Sequence, residues 1–429
     1  MPSTLRIDMV APPFAGHLFP LLDLAVGLRS RGFTDIRVLS TPSARQAVTL
    51  SGFELVEILN EHDDAINAIA NTTGQVGRNP IALLRQFKQN LALMRTLKAE
   101  LELLWQHRPR DLVIADMTVP VAGLTALAMG QHWWTGIPSP CAIETPTGTP
   151  SYLGGWLPAK GPMGHLRDAC GRTATRLFKK AIGVMFRKTL RDVGLPSLYR
   201  AEGTEMIYSP ERILAFGLQA FEFERRWPKS LTFVGPLTAC PPFEHAAPTF
   251  THGRPCVLIS LGTHLRWARE RAWQRALELA RALPHVDFHF TDGSPENNIV
   301  TPCDNLIRHG YIPYDNYLHR YAAAVIHGGT GITYSCLRNA VPILVWPHDY
   351  DQFDHAARIV HHKLGQRVSR SGSNLVALVT DALSNSDSND TLQQFATAIA
   401  STSAHEIVTD MLKVMMNSKS QTRIHGVGG

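Results

Sequence analysis

The chain alternates short, uninterrupted apolar runs with longer stretches in which apolar residues recur every three or four positions. Runs at 5–11, 36–40, 111–116, 256–260, 286–291, 322–326 and 342–346 are of the first kind. Apolar on consecutive rather than alternate residues, they predict strands covered on both faces, as in a parallel sheet. The first run is broken by Pro12-Pro13-Phe14-Ala15-Gly16-His17, and Pro20 is placed to open a helix. Leu21, Leu24, Ala25 and Leu28 then repeat at helical spacing until Gly32 closes the element. Further amphipathic stretches predict helices at 83–87, 91–105, 269–283, 314–321, 374–383 and 391–416. Strand, loop, helix, strand, repeated in both halves, predicts an α/β protein built on parallel sheets.

Periodicity fails after Thr232-Phe233-Val234-Gly235-Pro236-Leu237, stays absent through a Pro-rich run to Pro255, and resumes at Cys256. The expected organisation is an N-terminal domain over 1–233, a linker over 234–255 and a second domain over 256–400. A helix at 401–416 is expected to cross back to the first domain, and 417–429 to be a disordered tail. No sequence repeat is evident.

Composition narrows the class. A chain of 429 residues, 44% hydrophobic and 18% charged, has room for two or three domains with large cores. The net charge of +6 is modest and scattered, with no Lys/Arg block of the kind that binds nucleic acid. Six cysteines without a CxxC spacing suggest reduced, buried thiols. The N-terminus enters a strand without a secretory apolar region, and no run reaches the roughly 18 apolar residues of a spanning helix. The expectation is a soluble cytoplasmic protein. One segment, 167–191, is strongly basic, with apolar residues at Phe178, Ile182, Met185 and Phe186. A solvated face is the first reading and a membrane-surface helix the second.

The candidate chemistry collects at the ends of the apolar runs. The run 322–326 stops at His327-Gly328-Gly329-Thr330-Gly331, and a helical pattern follows through Leu337. Glycines admit an anion close to the backbone, and the helix start presents free N–H groups and the positive end of its dipole. His327 adds a donor. The next run, 342–346, ends in a loop with Asp349, Asp351 and Gln352, groups suited to sugar hydroxyls. A Gly-rich turn beside a polar loop in any α/β enzyme stays open at this point. Ser260-Leu261-Gly262-Thr263 offers a second small, hydroxylated strand end. His17 is a lone histidine in the first loop, which is not a dinucleotide fingerprint because it holds one glycine where three are needed. Asp116 closes the run 111–116, where a carboxylate is common as a strand-end cap. The region 131–161 brings Trp133, Trp134, Tyr152 and Trp156 among many Pro and Gly residues, to line an apolar site or to support the fold.

Taken together, Tyr311-Ile312-Pro313, His327-Gly328-Gly329, Val341-Pro342, Trp346-Pro347 and Asp351-Gln352, in this order and spacing, resemble the nucleotide-sugar-binding box of family 1 glycosyltransferases. Gly16-His17-x-x-Pro20 is similar to the N-terminal catalytic loop of that family. The resemblance is strong over 256–365, moderate over 5–32 and 111–140, and weak elsewhere. It implies the GT-B architecture, two Rossmann-like domains facing across a cleft. It also implies an inverting transfer from a nucleoside diphosphate sugar to a hydroxyl of a small, largely apolar acceptor such as a natural-product aglycone, without an obligatory metal.

In that framework His17 is the base and Asp116 its support. Ser260, Gly262, Thr263, His327, Gly328, Gly329, Thr330 and Gly331 hold phosphate; Tyr311, Ile312 and Ser335 meet nucleobase and ribose; Asp351 and Gln352 hold the sugar. Phe14, Trp133, Trp134 and Trp156 are the candidates for the acceptor pocket, which the family shapes in part from the equivalent of 60–107. One departure stands out: the place where many relatives carry a ribose-binding glutamate falls at or near Ser335, in a run with no carboxylate. That puts a thymidine diphosphate sugar ahead of a uridine diphosphate sugar as donor. A lipid acceptor at a membrane, a donor-only epimerase and a catalytically silent auxiliary protein are the alternatives.

Overall fold

The computed structural model describes residues 5–72, 74–76, 79–294, 299–384 and 390–425. Seven strands make the first sheet: β1 (Ile7–Val10), β2 (Ile36–Ser40), β3 (Leu55–Glu57), β4 (Leu112–Asp116), β5 (His132–Ile137), β6 (Arg212–Ala215) and β7 (Leu231–Phe233). Their order is β3-β2-β1-β4-β5-β6-β7, and every pair is parallel. The second sheet holds β8 (Cys256–Ser260), β9 (Asp287–Thr291), β10 (Val300–Cys303), β11 (Leu306–His309), β12 (Ala323–Ile326), β13 (Ile343–Val345) and β14 (Gly365–Arg367). Its order is β10-β11-β9-β8-β12-β13-β14, parallel apart from the edge pair β10–β11. This is the doubly wound, two-sheet α/β architecture that the sequence predicts, and each of the seven apolar runs contains a strand.

Those runs are continuous because both faces of each sheet are covered. In β1, Ile7 and Met9 enter one core while Val10 enters the core on the opposite face. In β8, Cys256 and Leu258 face one layer, Val257 and Ile259 the other. The exception in β1 is Asp8, fully buried, which accepts from Arg37 at 3.0 and 2.8 Å and from Trp105 Nε1 at 2.8 Å, and pairs with Arg110 at 2.7 Å. Removing one member of such a set strands buried charge. Asp8→Ala is therefore expected to cost about 3–5 kcal/mol, read from urea unfolding. A loss under 1 kcal/mol would show that the two arginines do not depend on it.

Helix Ala404–His425 returns to the first domain, where Ala404, Val408 and Leu412 join the core of helix Ala15–Arg29. His405 lies flat on Gly27, whose Cβ would stand 2.0 Å from the ring, and its Nε2 meets Asp23 Oδ1 at 2.9 Å. The reading of 417–429 as a disordered tail is corrected as far as His425. Once Met415 and Met416 pack on the core, the polar continuation remains helical. Residues 426–429 lie outside the described set. The domains are also joined by a buried pair, Arg358 to Glu222 at 2.7 and 2.9 Å. No helix among the described residues is long and apolar enough to cross a membrane.

Strand order reverses direction between β1 and β4 in one sheet and between β8 and β12 in the other. Chains leaving the carboxyl ends at such a point diverge and open a crevice. All the candidate catalytic and phosphate-binding residues end or follow one of these four strands.

Candidate active site

The two crevices face each other and merge into one cleft of about 570 Å³. His17 enters it from the first turn of helix Ala15–Arg29, directly after β1. Asp116 ends β4, the neighbour of β1, and the register Val10↔Ala115 brings the following residue alongside that turn. His17 Nδ1 lies 3.0 Å from Asp116 Oδ1 and 3.1 Å from Oδ2. The carboxylate is fully buried and held from below by the Thr118 N–H at 2.8 Å and hydroxyl at 2.5 Å. A carboxylate accepts only, so Nδ1 carries the proton, and Nε2 keeps its lone pair for the cleft. Burial lowers the imidazole pKa. The charge and hydrogen bond of Asp116, with a smaller push from Asp351, more than reverse this and leave it above the usual 6.5.

Opposite stands a site with anion-binding chemistry. Gly262 and Thr263 follow β8, His327 follows β12, and Gly329 caps the nine-residue helix Thr330–Arg338. Thr330 and Gly331 line the cleft, and no side chain caps the first-turn N–H groups, which an α-helix leaves without intrahelical partners. Gly262 has φ +69°, and a Cβ there would come within 2.7 Å of the His327 ring, so close packing and backbone both require glycine. Burial lowers the His327 pKa to about 4, which keeps the ring neutral.

Three members of the predicted phosphate and nucleoside set do not reach the cleft. The Ser260 hydroxyl is buried against that of Tyr314 at 2.8 Å. Gly328 turns away, its carbonyl accepting from His355 Nδ1 at 2.6 Å. Ile312 packs in the core beneath helix Thr330–Arg338. In each case an adjacent residue, Leu261, Gly329 or Tyr311, lines the cleft instead. Tyr311 and Ser335 line the far part. Among the described lining residues the only carboxylates are Asp349 and Asp351, both on the loop after β13.

That loop is braced from the first domain. Asp351 Oδ2 accepts from Ser139 Oγ at 2.5 Å, and Ser139 also meets Thr330 at 2.8 Å. The Gln352 side-chain carbonyl accepts from the N–H groups of His348 and Asp349 at 2.8 and 3.1 Å, leaving its NH2 as the available donor. Val76 N–H and Gln75 also bond the loop, at Asp349 Oδ2 (2.6 Å) and the His348 carbonyl (2.8 Å).

The acceptor side differs from expectation. Phe14 lines the cleft, but the predicted Trp133, Trp134 and Trp156 do not. Trp133 and Trp134 alternate on β5 and fill the cores on its two faces, while Trp156 packs on Gly171 and Arg167. A doubly covered strand buries both parities, so aromatics in it are structural. The apolar wall comes instead from Ile66, Leu93, Met94, Leu97 and Met117, with Tyr152. His264 was not legible either. It lines the cleft edge-on to Phe14 with ring centroids 5.0 Å apart, both nitrogens buried without a hydrogen-bond partner. Burial, then His17 and His327, lowers its pKa to about 4. No group of three or more metal-ligating side chains occurs among the described residues.

No protein-family model matches the chain. It is 26% identical over 379 residues to zeaxanthin glucosyltransferase of Pseudescherichia vulneris, covering 84% of this chain and 86% of that protein. It is 25% identical over 372 residues to 4'-demethylrebeccamycin synthase of Lentzea aerocolonigenes, covering 82% and 85%. Among solved structures, the glycotransferase of kitacinnamycin superposes with a TM-score of 0.73 at 20% identity, over 97% of this chain and all of that one. Spinosyn rhamnosyltransferase SpnG complexed with thymidine diphosphate superposes with a TM-score of 0.64 at 16% identity, over 95% and 100%.

Proposed function

We propose that this chain, a glycosyltransferase of GT-B fold, moves a sugar from a nucleoside diphosphate sugar to a hydroxyl of a small, largely apolar acceptor with inversion. The observation that carries the reading is the His17–Asp116 pair facing, across one cleft, an anion-binding helix start and the Asp351–Gln352 loop. His17 Nε2 takes the acceptor proton as the acceptor oxygen attacks the anomeric carbon. The bond from that carbon to the phosphate oxygen breaks on the opposite side, and the diphosphate leaves with the electron pair. His327, the N–H groups of Thr330 and Gly331 and the helix dipole meet the charge that develops. Asp116 stabilises the imidazolium formed in the step. The apolar wall from 66–97 receives the acceptor body and excludes water that would otherwise compete as nucleophile.

The test is incubation with thymidine and uridine diphosphate sugars and a panel of apolar alcohols and phenols, with the product's anomeric configuration read by NMR. A product retaining the donor configuration would remove the direct displacement.

The carrier nucleotide follows from Ser335. A serine cannot make the two-pronged contact of a carboxylate with a ribose diol, and the lining carboxylates both lie on the sugar loop. The bound thymidine diphosphate of the spinosyn enzyme is in keeping with this. In competition binding, thymidine diphosphate is expected to match or exceed uridine diphosphate. A tenfold preference for the uridine nucleotide, about 1.4 kcal/mol, would overturn the inference from Ser335.

A further inference from the structure

Helix Gly161–Met185 presents its apolar side to solvent. Met163 (77% exposed), Leu177 (60%), Val184 (76%) and Met185 (63%) project from it, with Leu166 and Phe178 beside them. At 3.6 residues per turn these six share an arc of about 120°, running the helix's length of about 37 Å. The exposed Cys170, Ala174 and Ala181 lie on the same stripe, as does Arg167, which pairs with Asp168. The opposite face is polar and satisfied inside: Asp168 accepts from Thr149 at 2.8 Å, and Lys179 bridges Glu144 and Glu205 at 2.8 and 2.7 Å. The amphipathicity is therefore inverted relative to a core-packing helix. Apolar surface of this extent left in water marks an interaction site.

Charge selects the partner. Lys160, Lys180, Arg187 and Lys188 are exposed along and beyond the stripe, and none has a salt bridge among the described residues. Between 157 and 188 the only acidic residue is Asp168, which is buried. A second copy of the chain would oppose two cationic borders. An anionic bilayer supplies both complements, acyl chains for the stripe and headgroup phosphates for the lysines and arginines.

We propose that helix Gly161–Met185 is a membrane-docking surface that lies in the headgroup region of an anionic bilayer. The segment 150–156 ties it to the cleft. Pro150, Leu153 and Trp156 pack around Gly171, where a Cβ would come within 2.9 Å of each, and Tyr152 of the same segment lines the cleft.

The experiment is flotation of the full chain with vesicles of phosphatidylcholine alone or containing phosphatidylglycerol, alongside light scattering of the protein without lipid. The chain is expected to float with anionic vesicles, less so as salt is raised. The double variant Leu177→Glu, Val184→Glu should bind at least about tenfold more weakly. Leu103→Glu, at an exposed position on another helix, should bind as the parent does. All three positions are exposed, so folding is unaffected, which circular dichroism checks. Absence of flotation at any composition overturns the proposal, as does equal weakening by Leu103→Glu. A dimer in solution that the double variant dissociates overturns it in favour of a second copy.

Discussion

Replacing His17 with alanine is expected to lower turnover about 100-fold or more, the range for loss of a general base. The dissociation constant for the nucleoside diphosphate should change little, because the anion-binding elements belong to the other sheet. Near-normal turnover would remove His17 from the mechanism. The pH profile adds a sign. His17 works as a base only when neutral, and its pKa lies above 6.5 because Asp116 outweighs burial. The acidic limb of kcat/KM should therefore fall as pH drops through a value above 6.5. Asp116→Asn removes the charge that raises the pKa, so the limb should move to lower pH while turnover falls. A limb that stays in place would show that another group titrates there.

The site was legible where chemistry and topology coincide. In a doubly covered parallel sheet each strand is an unbroken apolar run, so its end is visible in sequence, and residues after the ends nearest the reversal must face a common crevice. Gly262, Thr263 and His327 stand out this way, whereas the roles given to His17, Asp116 and the Asp351–Gln352 loop rest also on the family resemblance.

What was not legible depends on contacts far apart in the chain. Ser260, Gly328 and Ile312 differ from their cleft-facing neighbours only in the direction the backbone takes at a strand end, which the composition of the loop does not encode. Trp133 and Trp134 sit in a strand that was read as part of a Pro- and Gly-rich loop, and both its faces are covered. In helix Gly161–Met185 the basic segment with apolar residues at Phe178 and Met185 reads from sequence first as a solvated face and second as a membrane-surface helix. Those two are exposed because Glu144, Thr149 and Glu205 supply polar partners on the inner side. For His264 the only sequence signal was its place just after a glycine-bearing strand end. Its approach to Phe14 exists only once the two domains meet.

The donor-sugar loop is expected to answer differently to two substitutions at one residue. The Gln352 carbonyl holds the loop by accepting from the N–H groups of His348 and Asp349, and on the proposed reading its NH2 is the donor to the sugar. Glutamate retains the acceptor and so the loop, but removes the donor and adds a negative charge near Asp351. Gln352→Glu should therefore weaken the intact nucleotide sugar by roughly tenfold or more, the loss of a hydrogen bond to a buried polar group. Binding of the free nucleoside diphosphate should stay within about twofold, since on the proposed reading the phosphates rest on the helix start after Gly329. Gln352→Ala gives up both functions. Without its tether the loop also loses the geometry that places Asp351 between Ser139 and the cleft. It should depress turnover beyond the Glu variant while still sparing the free nucleotide. Calorimetry with sugar-bearing and sugar-free ligands separates these outcomes. Equal weakening of both ligands by Gln352→Glu would move the loop from the sugar to the diphosphate, and the role of Asp351 with it.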